Sequence, residues 1–479
     1  HEGFDMSNLS DLLPAGAGGK QVDFVASGNL SNGQTVALKT NGQVEAVTSN
    51  TSSQYVPWSN LLTYRNQTTQ KNSTVYNPLD PSRFITVFSS SGAQLIVGTV
   101  TDSGSSASVS YSSIVNITGN AVNDIIARFQ PGTNKFLVMY QDDSGSKYGV
   151  LKLYTISGTT VSLQSTQNFD TGGNSGGLSI EPSTNTAGLF LLGYCPYNTG
   201  TYGRTRAVQV SGSSFTMGTE VVFESSRSAN TAIAALSGAD SFVMAFKNLG
   251  SGAAGTGEAF LITVSGTTVS PNSFTQFSTN TANGPAEIFA AGNVDTPNSF
   301  CITYRDDAAQ AGSYQTVQAG SVSGTTVSFG TTVTVSSWYA NNQGVIQSYG
   351  ANKFLVAYDG QANGYGLYVR PITVSGTTIT QGSQATLVAP NSGGGQYGAG
   401  YMSLGFSSNN AEFAVSFRGD SNYGNLRLGE LSVTSYNNTS FIGITDAAIS
   451  SGASGSVTIK GGISSNVTGL TANSTYYVQ

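Results

Sequence analysis

One pattern recurs along this chain often enough to dictate its architecture: a phenylalanine, three residues, then a second aromatic. It appears at 84–88 (FITVF), 136–140 (FLVMY), 190–194 (FLLGY), 242–246 (FVMAF), 300–304 (FCITY), 354–358 (FLVAY) and 413–417 (FAVSF), with starts 52 to 59 residues apart. A second marker keeps phase with the first. SGSS or SGTT begins at Ser103, Ser157, Ser211, Ser265, Ser323 and Ser375, 52 to 58 residues apart. Self-similarity at a fixed period of this size is the signature of a repeat architecture.

Between the two markers comes a loop and then Tyr-Gly, at Tyr148, Tyr202, Tyr365 and Tyr423, with Tyr314 at the equivalent place in the fifth unit. Each unit therefore reads as strand, loop, strand, tight turn, strand, and a preceding run such as 125–129 (IIARF) supplies a fourth strand. Gly, Asn and Ser suit the turns, while Val, Thr, Tyr and Phe suit the strands. Four short antiparallel strands per unit match a propeller blade, and the connections are too short for the crossovers of a parallel sheet. The fold class expected is all-β: a seven-bladed β-propeller, preferred to a β-helix or a row of sandwiches because a closed ring protects its strand edges. Aromatics four apart share one face of a strand. They are read as packing between neighbouring blades, the alternative being an aromatic ladder that binds ligand. The seventh unit lacks the turn-plus-strand ending, so its outer strand is expected from the N-terminal side, within 54–65 (QYVPWSNLLTYR).

The flanks differ from the repeats but are also strand and turn. Asn-Gly pairs at 32–33 and 41–42 mark hairpin turns. The expected division is a propeller over 51–439, with 1–50 and 440–479 forming one small β module that mounts it.

Composition excludes several functions. A net charge of −6 and a sequence pI of 4.8, with no basic stripe, offer nothing to a phosphate backbone, so no nucleic acid partner is expected. No apolar run is long enough to span a membrane, and the opening HEGFDMSN lacks the pattern of a secretory signal. His1 is the one histidine, so the repeats hold no Ser-His-Asp or Cys-His arrangement and no histidine metal site. Cys195 and Cys301 fall at different places in their units and read as buried thiols, not a disulfide. Glu181, Glu220, Glu224, Glu258, Glu287 and Glu412 are the glutamates a glycosidase pair would draw on, but none recurs with an acidic partner. The Gly-rich stretch 391–401 lacks the Lys-Ser/Thr of a phosphate loop. No enzyme, cofactor or metal is expected.

The informative loops lie between the second and third strands. They carry Asp142 and Asp143, Asp306 and Asp307, Asp359 with Asn363, and Asp420 with Asn422, beside Tyr148, Tyr202, Tyr314, Tyr365 and Tyr423. Equivalent positions in a ring gather on one face. Asp and Asn there either cap their own turns or accept sugar hydroxyls, with tyrosine stacking on sugar rings. Calcium needs six to eight oxygens, more than one such loop offers.

The flanking sequences DFVASGNLSNGQTVAL and FIGI…GASGSVTIKGG…GLTANSTYYVQ resemble recurrent β modules of tailed-phage virion proteins. The repeats resemble propeller units of phage and marine bacterial surface proteins, which run Y-x-D-x-x-N-x-x-YG followed by VSGTT. Together these stretches cover most of the chain. The resemblance implies a virion appendage at the particle surface: a tail fibre, tail-tip adhesin or capsid fibre. Its partners would be other virion proteins or further copies of itself, and a host-surface glycan. The alternative is a secreted or cell-surface bacterial lectin or adhesin outside any virus. Modules of this kind continue past YYVQ, so a fragment, or a strand completed by a neighbour, is expected at that end.

Overall fold

The computed structural model describes residues 21–39, 41–47, 54–57, 59–102, 107–144, 148–172, 175–196, 202–250, 255–279, 285–309, 312–336, 344–360, 365–391, 402–408, 412–419, 422–432 and 441–459. They are all strand, turn and coil apart from one 3₁₀ residue, and the chain divides into two units. One comprises His1–Ser53 with Ser432–Gln479, the other Gln54–Leu431.

In the larger unit the seven aromatic runs all fall on the second strand of a sheet: Asp80–Ser89, Lys135–Asp142, Leu189–Pro196, Ser241–Asn248, Ser299–Ala309, Lys353–Gly360 and Glu412–Arg418. Each pairs on one side with an innermost strand: Asn72–Asn77, Val122–Phe129, Ser175–Pro182, Ser228–Ala235, Pro285–Gly292, Gly344–Gly350 and Met402–Phe406. On the other side it pairs with a third strand, which in the second to sixth sheets turns back through the SGSS or SGTT hairpin to a fourth, and in the third to sixth also pairs with a fifth. In the five described hairpins the glycine takes φ of 58–61° while the next residue keeps negative φ, the type II′ arrangement whose twist matches flanking strands. The innermost strands touch in sequence order and the last touches the first, so the sheets form a closed cycle.

The aromatic pattern explains how the sheets pack. All fourteen ring positions are buried to 2% exposure or less, which leaves no exposed ladder. Phe136 and Tyr140 pack on Ile85 and Val87 of the preceding sheet, and Phe190 and Tyr194 on Leu137 and Met139. The relation repeats to Phe413 and Phe417 on Leu355 and Ala357. Phe84 and Phe88 then meet Ala414 and Leu428 of the last sheet. Residues i and i+4 of each run thus face back, while i+1 and i+3 face forward. This two-sided burial is why the runs are continuously apolar. Burying one such ring contributes on the order of 2–3 kcal/mol.

The seventh sheet takes its outer edge from the N-terminal side, as its missing ending requires: Gln54–Pro57 and Leu62–Thr68 both pair with the third strand Tyr423–Ser432. On the inner side, hydroxyls join the first sheet to the last. Thr74 Oγ1 lies 2.7 Å from Ser416 Oγ and 2.8 Å from Thr86 Oγ1, and the Thr74 amide donates to Ser403 Oγ at 2.9 Å.

The smaller unit is a five-stranded sheet ordered Gln21–Val25, Ser454–Ile459, Phe441–Thr445, Thr35–Leu38 and Val44–Ala46, so both flanks contribute to it. A parallel bridge from Ala26 to Val44 joins its two ends around Leu30, Val36, Ile449 and Val457. Asn41-Gly42 makes the expected hairpin. Asn32-Gly33 does not: the strand before it pairs with Ser454–Ile459, because the C-terminal flank supplies the long-range partner.

Candidate functional site

Each second strand ends where its third begins, next to the start of the innermost strand, and the innermost strands of neighbouring sheets lie side by side. Ser179 Oγ lies 2.8 Å from Thr231 Oγ1, and the Leu178 amide donates to Asp124 Oδ2 at 3.1 Å. The loops carrying the predicted site residues therefore share one face with one mouth of the central channel.

Tyr148, Tyr202 and Tyr423 occupy the same register and leave 37–39% of their surface exposed; Tyr314 is half-buried there. The glycine that follows has a different reason. A Cβ on Gly149 would sit 2.4 Å from the Phe169 ring, on Gly203 2.2 Å from Phe223, and on Gly424 2.4 Å from Tyr64. None of these glycines has positive φ. Close approach of an aromatic from the outer strand, not backbone freedom, selects glycine.

Asp142 closes its own turn. Its Oδ1 accepts from the Ser144 amide at 3.0 Å and hydroxyl at 2.5 Å, and its Oδ2 from Asn120 at 2.8 Å. Burial pushes this carboxyl up, but those bonds outweigh it and hold the group below the usual aspartate range. The Asp143 amide donates to Ala121 at 2.8 Å. Asn422 is exposed at φ 62°, and its carbonyl accepts from the Thr69 amide at 2.8 Å. Two predictions need correction. Asp306 and Asp307 belong to the strand Ser299–Ala309, with Asp306 paired to Tyr314, because this hairpin runs further than the others. Asp359 is fully buried in Lys353–Gly360, so its side chain does not face a ligand. The backbone of Tyr365 pairs with Asn391. Asn363 and Asp420 lie outside the described residues.

Two sets of residues escaped the sequence reading. Opposite the central residue of each aromatic run, the third strand carries Lys152, Arg206, Gln318 or Arg370 where the run ends in tyrosine. It carries Ile96 or Phe260 where the run ends in phenylalanine, Arg427 being the exception. Lys152 Nζ donates to the Ile117 carbonyl at 2.7 Å and Arg206 Nη1 to the Phe169 carbonyl at 3.0 Å, each in the preceding sheet. The Tyr194 hydroxyl donates to Glu220 at 2.5 Å, and Arg204 holds the other Glu220 oxygen at 3.1 Å. The Lys152 and Arg206 bonds are polar clips between sheets, and the Tyr194–Glu220–Arg204 set ties one sheet together; aligning the units on Tyr-Gly would have revealed the recurring cation.

The second set lines the channel. Its innermost strands bulge at equivalent points, with Gly177, Asn230 and Glu287 at φ 51–58°. Arg128 and Glu181 form an ion pair there at 2.7 Å. Away from the channel lining, Glu224 and Glu258 share the Asn248 amide at 3.2–3.3 Å. Among the described residues no three acidic, histidine or cysteine side chains cluster as a metal site.

No protein-family model matches the sequence, and no curated protein does. Solved structures do. The BP39L lectin from Burkholderia pseudomallei superposes with a TM-score of 0.52 at 12% identity, over 78% of this chain and 98% of that one. The Aleuria aurantia lectin AAL in complex with Fucα1-6GlcNAc gives 0.41 at 12%, over 69% and 99%. The C-terminal WD40 domain of Sif2 gives 0.41 at 12%, over 77% and 98%. At such identities the first likeness speaks to fold alone: the chain is all-β, with a β-propeller.

Proposed function

We propose that this chain is a structural and attachment protein of a tailed-phage virion, in which a seven-bladed propeller binds a host-surface glycan or a neighbouring virion protein. The observation that carries the binding reading is the repeated display on one face: Tyr148, Tyr202 and Tyr423 stand at one register, each more than a third exposed, beside turns made by Asp142 and Asn422. A partly exposed aromatic next to fixed polar groups suits both glycan stacking and protein contact. The ring leaves no open edge between first and last sheets, so its strands are spent on closure and its loops remain for recognition. Support for the virion reading comes from the flanking sequences, whose strands assemble into one module as they would in an anchoring element.

Glycan-array binding of the whole chain, with Asp142→Ala, Tyr148→Ala and Tyr423→Ala in parallel, tests the face. Loss of signal in the tyrosine variants is the expected result, and full retention in all three refutes it. Labelling of purified particles by antibodies to the chain tests the location. A chain found only on bacterial surfaces would replace the virion by a cell-surface lectin.

A further inference from the structure

The channel through the ring holds features that the loop face does not explain. Its cavity measures about 410 Å³, within the roughly 300–1,000 Å³ usual for small-molecule pockets. The walls are backbone strands of seven sheets, so the space is preformed. Phe289 and Ile126 sit at matching register in the middle of their innermost strands, and both stay half-buried where their equivalents Ser179 and Ala232 are buried. The Phe289 ring packs in part on the neighbouring cores and leaves the rest of its surface to the cavity. Two residues further along these strands, Arg128 from the second sheet meets Glu181 from the third. Among the described residues both guanidinium bonds, from Nε and Nη2, fall on the same oxygen, Oε1, at 2.7 Å. Oε2 is left to accept from whatever enters.

We infer that the channel is a subsite for a neutral sugar ring, with one pyranose face on Phe289 and hydroxyls donating to Glu181. The inference rests on the glycan reading above and moves its centre from the rim to the channel. Charge selects the ligand class. Arg128 and Glu181 already neutralise one another, so a cation would be repelled by the guanidinium and an anion by the carboxylate, whereas a neutral polyol disturbs neither. Burial raises the Glu181 carboxyl above the usual glutamate range, against the pull of Arg128. Glu181 keeps 21% of its side-chain surface exposed, so a ligand hydroxyl can replace water at Oε2 at little cost. A sugar combines an apolar face with hydroxyl donors, the two contacts that Phe289 of the fifth sheet and Glu181 of the third offer around one cavity.

Saturation-transfer NMR and calorimetry of the whole chain with neutral hexoses, 6-deoxyhexoses and N-acetylhexosamines provide the test. One of these classes should bind in the millimolar range or tighter. Phe289→Leu and the isosteric Glu181→Gln should each weaken it about tenfold or more, the cost of one lost stacking or charged hydrogen-bond contact, while Leu163→Ala, exposed on an outer strand, leaves it unchanged. Thermal melts identify any variant that fails to fold, and Glu181→Gln, which keeps the acceptor for Arg128, serves if Phe289→Leu does. Binding that survives both channel changes but falls with Tyr148→Ala overturns the channel site and leaves the glycan reading standing. No binding to any sugar, on the array or in solution, overturns both.

Discussion

Replacing Gly149 by alanine tests whether the Tyr-Gly motif is a folding device or part of a binding site. The new Cβ would lie 2.4 Å from two carbons of the Phe169 ring, well inside van der Waals contact. That ring is 1% exposed and packs edge-on to Tyr194 at 4.9 Å, so it has little room to retreat. Overpacking of this kind costs about 1–3 kcal/mol. Alanine at an ordinary φ returns roughly 0.4–1 kcal/mol through the unfolded chain, leaving a net loss of about 1–2 kcal/mol. Phe169→Ala removes the ring and should cost about 3–5 kcal/mol. In that background the clash is gone, so Gly149→Ala should become neutral or slightly stabilising. Urea denaturation of the four proteins, followed by far-ultraviolet circular dichroism, measures the coupling, expected at about 1–3 kcal/mol. Costs that add to within about 0.5 kcal/mol would refute the close-approach argument and return the glycine to the turn.

Three further outcomes follow. Tyr64→Ala in the closing segment, which removes a ring 5% exposed and 5.3 Å from Phe88, should cost about 3–5 kcal/mol and speed proteolysis of 54–68; unchanged melting would detach that segment from ring closure. Burial pushes Asp240 up, but bonds from Ser183, Thr186 and Asn185 win and depress it, so its stabilisation is present above its unfolded value of 3.8 and lost as the pH falls below. Asp240→Asn should therefore melt below the parent at neutral pH, by about 1 kcal/mol after solvent screening, with the gap closing in acid; a pH-independent gap would contradict this. Burial raises the Cys195 thiol to about 12 and Cys301 higher still, so neither should react with a thiol reagent in the native protein and both should after unfolding.

The sheets were legible because burial on both faces demands continuous apolar runs, and the SGTT turn demands glycine at one place. Both demands are local, and both repeat. The missing fourth strand of the last unit was legible for the same reason, as a gap in a repeat. The candidate site was less so. Asp142 sits in its turn as its neighbours imply, but Asp359 directly follows its tyrosine, at the place of the equally buried Gln141, so strand alternation turns it inward. Arg128, Glu181 and Phe289 have no shared spacing or motif. They meet only because innermost strands of different sheets converge.

The amino-acid sequence alone determined the repeat, the order of its first strands, their hairpins and which aromatics pack between sheets, because each depends on residues within one repeat; it expected four strands per unit, where most sheets add a fifth beside the third strand. Only the tertiary structure decided that the smaller unit joins both ends of the chain, that Tyr-Gly answers to an aromatic on the outer strand, and that a charged pair and a phenyl group share one channel. Those relations join residues about twenty to more than four hundred positions apart, and no local pattern records a distance that only closure of the ring and the sheet brings to a few ångströms.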